Sequence, residues 1–319
     1  MKAKTVRQVL RRIVDDWLSS IEDDDLRTQL KNKVIVTGGA IASMLLKEKV
    51  SDYDIYLRDR DACIRVARYY TSRFNPATVN GIECKIYVDE TLEDRVSVVI
   101  KSAGIASEGG TSKSYEYFET RGAGDESAAR YVGDVMDDPG EIQDTYDDTE
   151  AVALSTEDDG KPRYRPVFMS SNAITLSNRV QIITRFYGEP DQIHANYDFV
   201  HCTNYWKSWG PDAESLVLKA EALEALLTRE LKYVGSKYPI CSLIRVRKFV
   251  GRGWTVNAGQ ILKMVMQISD LDLKDYNVLR DQLTGVDAAY FCELLSKVHE
   301  KDPEKINSAY LIEIVDRLF

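Results

Sequence analysis

Four residues carry the clearest chemistry in this chain: the adjacent glycines Gly38 and Gly39, and the aspartates Asp52 and Asp54 that follow them. Asp52 and Asp54 flank Tyr53 in a stretch that alternates as a strand, so their side chains point to one face while Tyr53 and Ile55 take the other. Two carboxylates spaced about 7 Å apart along a strand repel each other unless a cation lies between them. Mg²⁺ suits that place, because it takes one or two carboxylates and completes its shell with phosphate oxygens and water. A glycine pair in front of a helix supplies the complementary half, since backbone N–H groups there come close to a phosphate at the positive end of the helix dipole. The plainer alternative is a pair of turn glycines followed by solvent-facing aspartates on an edge strand. The combination, in this order, points instead to a bound Mg²⁺–nucleotide.

These residues need a strand, a turn, a helix and a second strand to hold them. Val34 to Thr37 reads as the first strand, Ala40 to Lys47 as the helix and Asp52 to Leu57 as the second strand. Before them, Val6, Val9, Leu10, Ile13 and Trp17 recur at helical spacing. After them, a helix is expected over about 60 to 72, then strands in "GIECKIYV" and "RVSVVI", both rich in β-branched residues. Strands resume in "AITL" and "VQIITRF", with a short helix near 189 to 195 and a last strand at "YDFVHC". From Pro211 onward helices are expected: one over 212 to 235, one after Asn257 as cap, and a last one with Asp302 as cap and Pro303 at its first position.

Charge divides the chain. The net charge is −9, which over a uniformly acidic surface would repel nucleic acid. The segment from Ser102 to Arg165 holds 16 Asp/Glu against 6 Lys/Arg, so it carries the acidity alone, and its Gly, Ser, Asp and Glu content reads as an insertion. From Thr228 to Val256 seven basic residues stand against Glu230 alone. No apolar run approaches the roughly 20 residues of a membrane helix, and the first residues lack the apolar core of a secretion signal, so a cytoplasmic protein without a membrane partner is expected. The five cysteines and three histidines show no zinc spacing, so reduced thiols are expected. Oligomeric state is not legible.

"TGGAIASMLLKEKVSDYDIYL" resembles the signature of the DNA polymerase β-like nucleotidyltransferase superfamily, a Gly-Gly or Gly-Ser turn followed by Asp-hydrophobic-Asp-hydrophobic. The resemblance implies that Gly38 and Gly39 contact the triphosphate and that Asp52 and Asp54 bind Mg²⁺ or Mn²⁺. "NYDFVHCTNYW" and "IRVRKFVGRGW" are similar to blocks of the tRNA nucleotidyltransferase and bacterial poly(A) polymerase branch, and some phage-encoded proteins share this layout. Asp198 then stands in a matching place as catalytic residue and third metal ligand, with Glu83 the alternative. Arg245, Lys248 and Arg252 match as contacts to the nucleotide or to RNA. Ala42-Ser43 and Asn196-Tyr197 depart from the branch, which uses Arg-Asp and Arg-Arg there, and its base-selecting Glu-Asp-x-x-Arg is absent from 213 to 235.

The expected fold is α+β: an N-terminal helical segment (1–32), a mixed-sheet nucleotidyltransferase palm (33–101 and 166–210) interrupted by the acidic insertion (102–165), and an all-helical C-terminal domain (211–319). The expected activity is metal-dependent transfer of NMP from an NTP, with an RNA 3′ end as acceptor. A protein or small-molecule acceptor is the second reading, and an inactive binding protein that keeps the fold is the third. His201 reads as an interior hydrogen-bonded group, and Tyr205, Trp206 and Trp209 as packing.

Overall fold

A computed structural model describes residues 1–74, 84–93, 95–102 and 162–273, with short pieces at 105–106, 112–113, 116–117 and 119–121 and positions 275, 278–279 and 282. Glu83, the helix expected after Asp302 and most of the acidic segment lie outside the described residues.

The chain begins with α1 (Ala3–Ser19), whose Val6, Leu10, Ile13 and Trp17 form one buried stripe. The Trp17 indole N–H is satisfied by the Tyr70 hydroxyl at 2.8 Å. A short α2 (Asp24–Leu30), within the N-terminal segment expected to be helical, starts where the Asp23 carboxylate accepts the Leu26 N–H at 2.9 Å. Then come β1 (Val34–Thr37), α3 (Gly39–Leu46), β2 (Tyr53–Leu57) and α4 (Arg60–Thr71), close to the expected bounds. The next strands are β3 (Cys84–Asp89) and β4 (Ser97–Ser102), followed by short β5 (Ile105–Ala106), β6 (Ser112–Lys113), β7 (Glu116–Tyr117) and β8 (Glu119–Arg121). After the gap in description come β9 (Pro166–Ser170), β10 (Ala173–Leu176), β11 (Val180–Tyr187) and α5 (Pro190–His194). The remaining elements are β12 (Tyr205–Lys207), β13 (Leu216–Val217), α6 (Ala220–Thr228), β14 (Glu230–Leu231), α7 (Pro239–Gly251), β15 (Thr255–Val256) and α8 (Ala258–Ser269).

The fold class is α+β. Eight strands form one mixed sheet in the order β13-β12-β1-β2-β11-β10-β9-β8, with β2 and β11 the parallel pair. Alternation divides its residues between two faces. Val34, Val36, Ile55, Leu57 and Ile182 pack with α1, α3 and α4 in the main core, whereas Ile35, Tyr56, Ala173 and Ile183 belong to a smaller cluster with Ile193 on the opposite face.

Several expectations are corrected. "YDFVHC" is not the last strand: Val200–Cys202 is a 3₁₀ turn, closed by the Thr203 hydroxyl donating to the Val200 carbonyl at 2.8 Å, and the strand falls on Tyr205–Lys207 instead. The helix expected over 212 to 235 is confined to α6, because Arg229 takes a left-handed φ of 51° and turns the chain into β14. The C-terminal region is therefore not all-helical, since β14 and β15 pair in parallel between its helices. Asn257 occupies the cap position of α8, but its side-chain amide donates to Glu230 instead of capping. The strands β3 and β4 form a separate sheet with β7, and β8, inside the segment read as an insertion, pairs with β9 as the edge of the main sheet.

Candidate nucleotide site at the ends of β1 and β2

The site starts where β1 ends. Thr37 is fully buried, and its hydroxyl donates to the Asn204 carbonyl at 2.9 Å. His194 Nε2 lies 2.8 Å from the same hydroxyl and so serves as its N–H donor, which leaves Nδ1 to accept from Lys219 Nζ at 3.3 Å. Lys219 is in turn paired with Asp191 at 3.0 Å. Burial first, then the Lys219 charge, pushes the His194 pKa down to about 4, so this chain of contacts runs through a neutral imidazole.

Gly38 follows with φ 96°, a conformation that an L side chain adopts only with strain, and it caps α3. A Cβ at this position would stand 3.2 Å from Asp54 Oδ2 and 3.5 Å from the Tyr197 hydroxyl. The absent side chain is what lets the aspartate and the glycine turn share one corner. The Gly38 N–H is already committed to the Cys202 carbonyl at 3.1 Å, so the amides available in principle to an anion are those of the first turn of α3, beginning at Gly39. Space beside Gly39 is open: apart from its own helix backbone and chain neighbours, nothing lies within 4 Å of where a Cβ would stand.

Asp52 and Asp54 are both half-buried; Asp54 lies in β2 on the face that Gly38 approaches, and Asp52 stands just ahead of the strand. Tyr56 follows on that face, with its ring 6.2 Å from that of Tyr197. Burial and the nearby Asp54 charge both hold the Tyr56 hydroxyl protonated, and burial, Tyr56 and Asp54 do the same for Tyr197. The pair can donate hydrogen bonds but does not ionise. In the parallel ladder, Gln181 of β11 stands opposite Asp54.

Asp198 is tied to α7. Its Oδ2 accepts from Arg245 Nη1 at 2.7 Å and its Oδ1 from the Phe199 N–H at 3.0 Å, with the carboxylate 12% exposed. Arg252 donates to Glu48 Oε2 at 2.8 Å, and Arg229 to Glu48 Oε1 at 2.8 Å. Arg245 and Arg252 therefore join α7 and its end to the palm through carboxylates, whereas Lys248 is exposed. His201 sits among Phe199, Phe249 and Trp254, with ring centroids 6.1, 4.7 and 4.3 Å away. Burial pushes its pKa down to about 4, against the pull of Asp198. Among the described residues no three Asp, Glu, His or Cys side chains come together as a metal-ligating group.

The structure thus brings Gly38 and Asp54 into contact range and places Gly39 beside them. Asp198 has each of its oxygens in one contact, with Arg245 and with the Phe199 N–H. Sequence reasoning missed Tyr56, Tyr197, His194 and Gln181. Tyr56 was legible, two residues after Asp54 on the same strand face. The others come from distant segments and leave no local signal. Of the aromatics expected to pack, Trp206 is buried in the core, and Trp209 lies under the Arg58 guanidinium at 4.6 Å.

Residues 8–229 match the family described as "Gabija anti-defense 2 family protein". A protein named "Gabija anti-defense 2", from Bacillus phage SPbetaL7, is 25% identical over 135 residues, covering 42% of this chain and 32% of that relative. The chain thus spans about a third of the length of the curated relative it matches. Among solved structures, a CCA-adding enzyme in an apo form is similar over 96% of this chain and 56% of its own, with TM-score 0.42 and 9% identity. A Thermotoga maritima CCA-adding enzyme complexed with tRNA is similar over 92% of this chain and 57% of its own, with TM-score 0.36 and 10% identity.

Proposed function

The chain belongs to the Gabija anti-defense 2 family, and from that premise we propose that it is a phage-encoded, metal-dependent nucleotidyltransferase that acts in the host cytoplasm against a defence system. The observation that carries the reading is the contact between the two halves of the motif: Asp54 Oδ2 lies 3.2 Å from where a Gly38 side chain would begin. A glycine turn held against the second of the two aspartates fits a Mg²⁺–triphosphate, because backbone amides and carboxylate-bound cation then meet the same phosphates.

The residues divide the work. The first-turn amides of α3, from Gly39 on, bind the phosphates, and Thr37, held by His194 and Asn204, fixes the turn that aims them. Asp52 and Asp54 hold the divalent ion. That ion, when bound, neutralises charge on the triphosphate and on the leaving pyrophosphate. Protonated Tyr56 and Tyr197 line the corner as donors. Asp198 positions Arg245 of α7, whose charge acts on Tyr56 in the same corner. Transfer is an in-line displacement: the acceptor oxygen bonds to the α-phosphorus, the α–β bridging P–O bond breaks, pyrophosphate leaves and the hydroxyl proton passes to water.

An RNA 3′ end is the acceptor proposed first, supported by the exposed Arg247 and Lys248 on α7, which suit a phosphate backbone. A protein hydroxyl is the second reading, and the anti-defence description of the family favours it, since modifying a defence component would disable it directly. The test is incubation with Mg²⁺ and each α-labelled NTP, with RNA or with host protein extract, beside the Asp52→Ala/Asp54→Ala variant. Label in RNA supports the first acceptor and label in protein the second. Absence of both incorporation and NTP binding leaves only a binding protein that keeps the fold.

A further inference from the structure

The sheet ladder defines which side chains can join Asp54 in holding cations. On the β11 side, the parallel register places Gln181 opposite Asp54, and continuing it by one residue places Arg179 opposite Asp52. The latter step agrees with the Tyr53 N–H donating to the Arg179 carbonyl at 2.7 Å. On the β1 side, the antiparallel register Ile35↔Tyr56 and Val36↔Ile55 continues to Thr37 beside Asp54. The same-face ladder neighbours of Asp54 are therefore a glutamine and a threonine, while Arg179, just before β11 in a left-handed conformation (φ 58°), donates from Nη1 to the Val50 carbonyl at 3.2 Å.

None of them is a carboxylate. Thr37 has its hydroxyl in the His194 and Asn204 contacts, and Gln181, 7% exposed, donates from Nε2 to Thr175 Oγ1 at 3.3 Å. Asp198, the acid nearest in expectation, accepts from Arg245 and from the Phe199 N–H with its two oxygens. Nucleotidyl transfer by two ions places one on the triphosphate and another on the attacking hydroxyl, about 3.5–4 Å apart. The ion on the hydroxyl has no triphosphate to lend it charge before the acceptor binds, so it depends on protein carboxylates. A strand neighbour is well placed to add one, because adjacent strands lie only about 4.8 Å apart. Here that neighbour is a neutral amide, which neither offsets charge nor takes a proton.

Resting on the nucleotide reading above, and on the described residues, among which no third acid joins Asp52 and Asp54 as a metal-ligating group, we infer that this site holds a single divalent cation with its NTP, and that Gln181 occupies a position from which a carboxylate would recruit a second. The acceptor hydroxyl is then not activated by an ion. The nucleotide complex is long-lived, and transfer is slow relative to a two-ion site.

The test counts ions. Manganese is titrated into the full-length protein with α,β-methylene ATP or, separately, α,β-methylene GTP, and bound Mn²⁺ is followed by electron paramagnetic resonance. The wild type is expected to bind one Mn²⁺ per chain without spin–spin broadening. Gln181→Glu is expected to bind two, with a broadened signal, and to raise transfer about a hundredfold or more. Gln181→Met, similar in volume and uncharged, keeps one. A coupled pair in the wild type overturns the inference, as does a folded Gln181→Glu that still binds one. Should Gln181→Glu not fold, Gln181→Asp and the wild-type count decide it. No bound Mn²⁺ in the wild type overturns it as well, and loss of nucleotide binding in the same titration then shows that the functional reading has failed with it.

Discussion

The two faces of the main sheet are made of alternate residues of the same strands, and they differ in what they tolerate. On one face Val34, Val36, Ile55 and Leu57 are buried against α1, α3 and α4. On the other, Thr37, Asp54, Tyr56 and Gln181 present oxygens and amides around a glycine turn, with Ile35 and Ile183 as their apolar floor. The first face is held by burial, worth about 25 cal/mol per Å² of apolar surface and indifferent to direction. The second is held by directional contacts that keep like charges close, which a fold sustains only where something else supplies stability. Stability and chemistry are thus separated by a single residue step along β2.

Neighbouring substitutions on β2 test that separation most strongly. Asp52→Asn with Asp54→Asn is expected to weaken Mg²⁺–NTP binding about a hundredfold or more by calorimetry, while the melting temperature holds or rises as repulsion is relieved. Ile55→Ala, on the core face, is expected to cost about 2–5 kcal/mol in urea unfolding and to leave nucleotide affinity intact in native buffer. If Ile55→Ala instead abolished binding at full folding, the two faces would not be independent.

The buried histidines set the next effect. His194 and His201 have folded pKa values pushed down to about 4 from 6.5, so the unfolded chain binds their protons first as pH falls. Stability from each is complete above pH 6.5 and lost as pH drops toward about 4, by up to about 3 kcal/mol. His201→Phe, which keeps the aromatic box, is expected to flatten the decline in urea midpoint between pH 7 and pH 4.5, roughly the titration window. An unchanged decline would remove His201 as a cause.

Smaller effects separate the glycines. Gly38→Ala forces a side chain into a positive-φ position and toward Asp54, at about 1–2 kcal/mol by thermal melting and with weaker nucleotide binding. Gly39→Ala, in open space within the first turn of α3, is expected to be neutral or slightly stabilising. The smallest change in stability, within about 0.5 kcal/mol, is expected for Arg247→Ser with Lys248→Ser on the exposed side of α7. That variant still weakens RNA binding in a salt-dependent way if the first acceptor is correct.

Much of the palm was legible because its signals are local. Val34–Thr37 is a run of β-branched residues ended by glycine, α1 repeats its apolar residues at helical spacing, and Asp52 and Asp54 share parity. Errors fell where a short-range contact outweighed the pattern. The Thr203 hydroxyl closes a turn in a stretch that alternates like a strand, and Arg229 breaks a helix whose composition continues past it. The basic residues of α7 were found as a charge run, yet composition carries no information on which cations meet acids. Arg245 reaches Asp198, 47 residues away in sequence, and Arg252 reaches Glu48, 204 residues away.

By itself the sequence determined the chemistry available at β2: two carboxylates of one parity and a glycine pair ahead of them, since parity along a strand and the freedom of glycine are properties of the local chain. Tertiary structure alone decided the company those carboxylates keep. Gln181 stands beside Asp54 and Asp198 against Arg245 because strand register and helix docking are set by burial summed over the whole core, which no local spacing encodes.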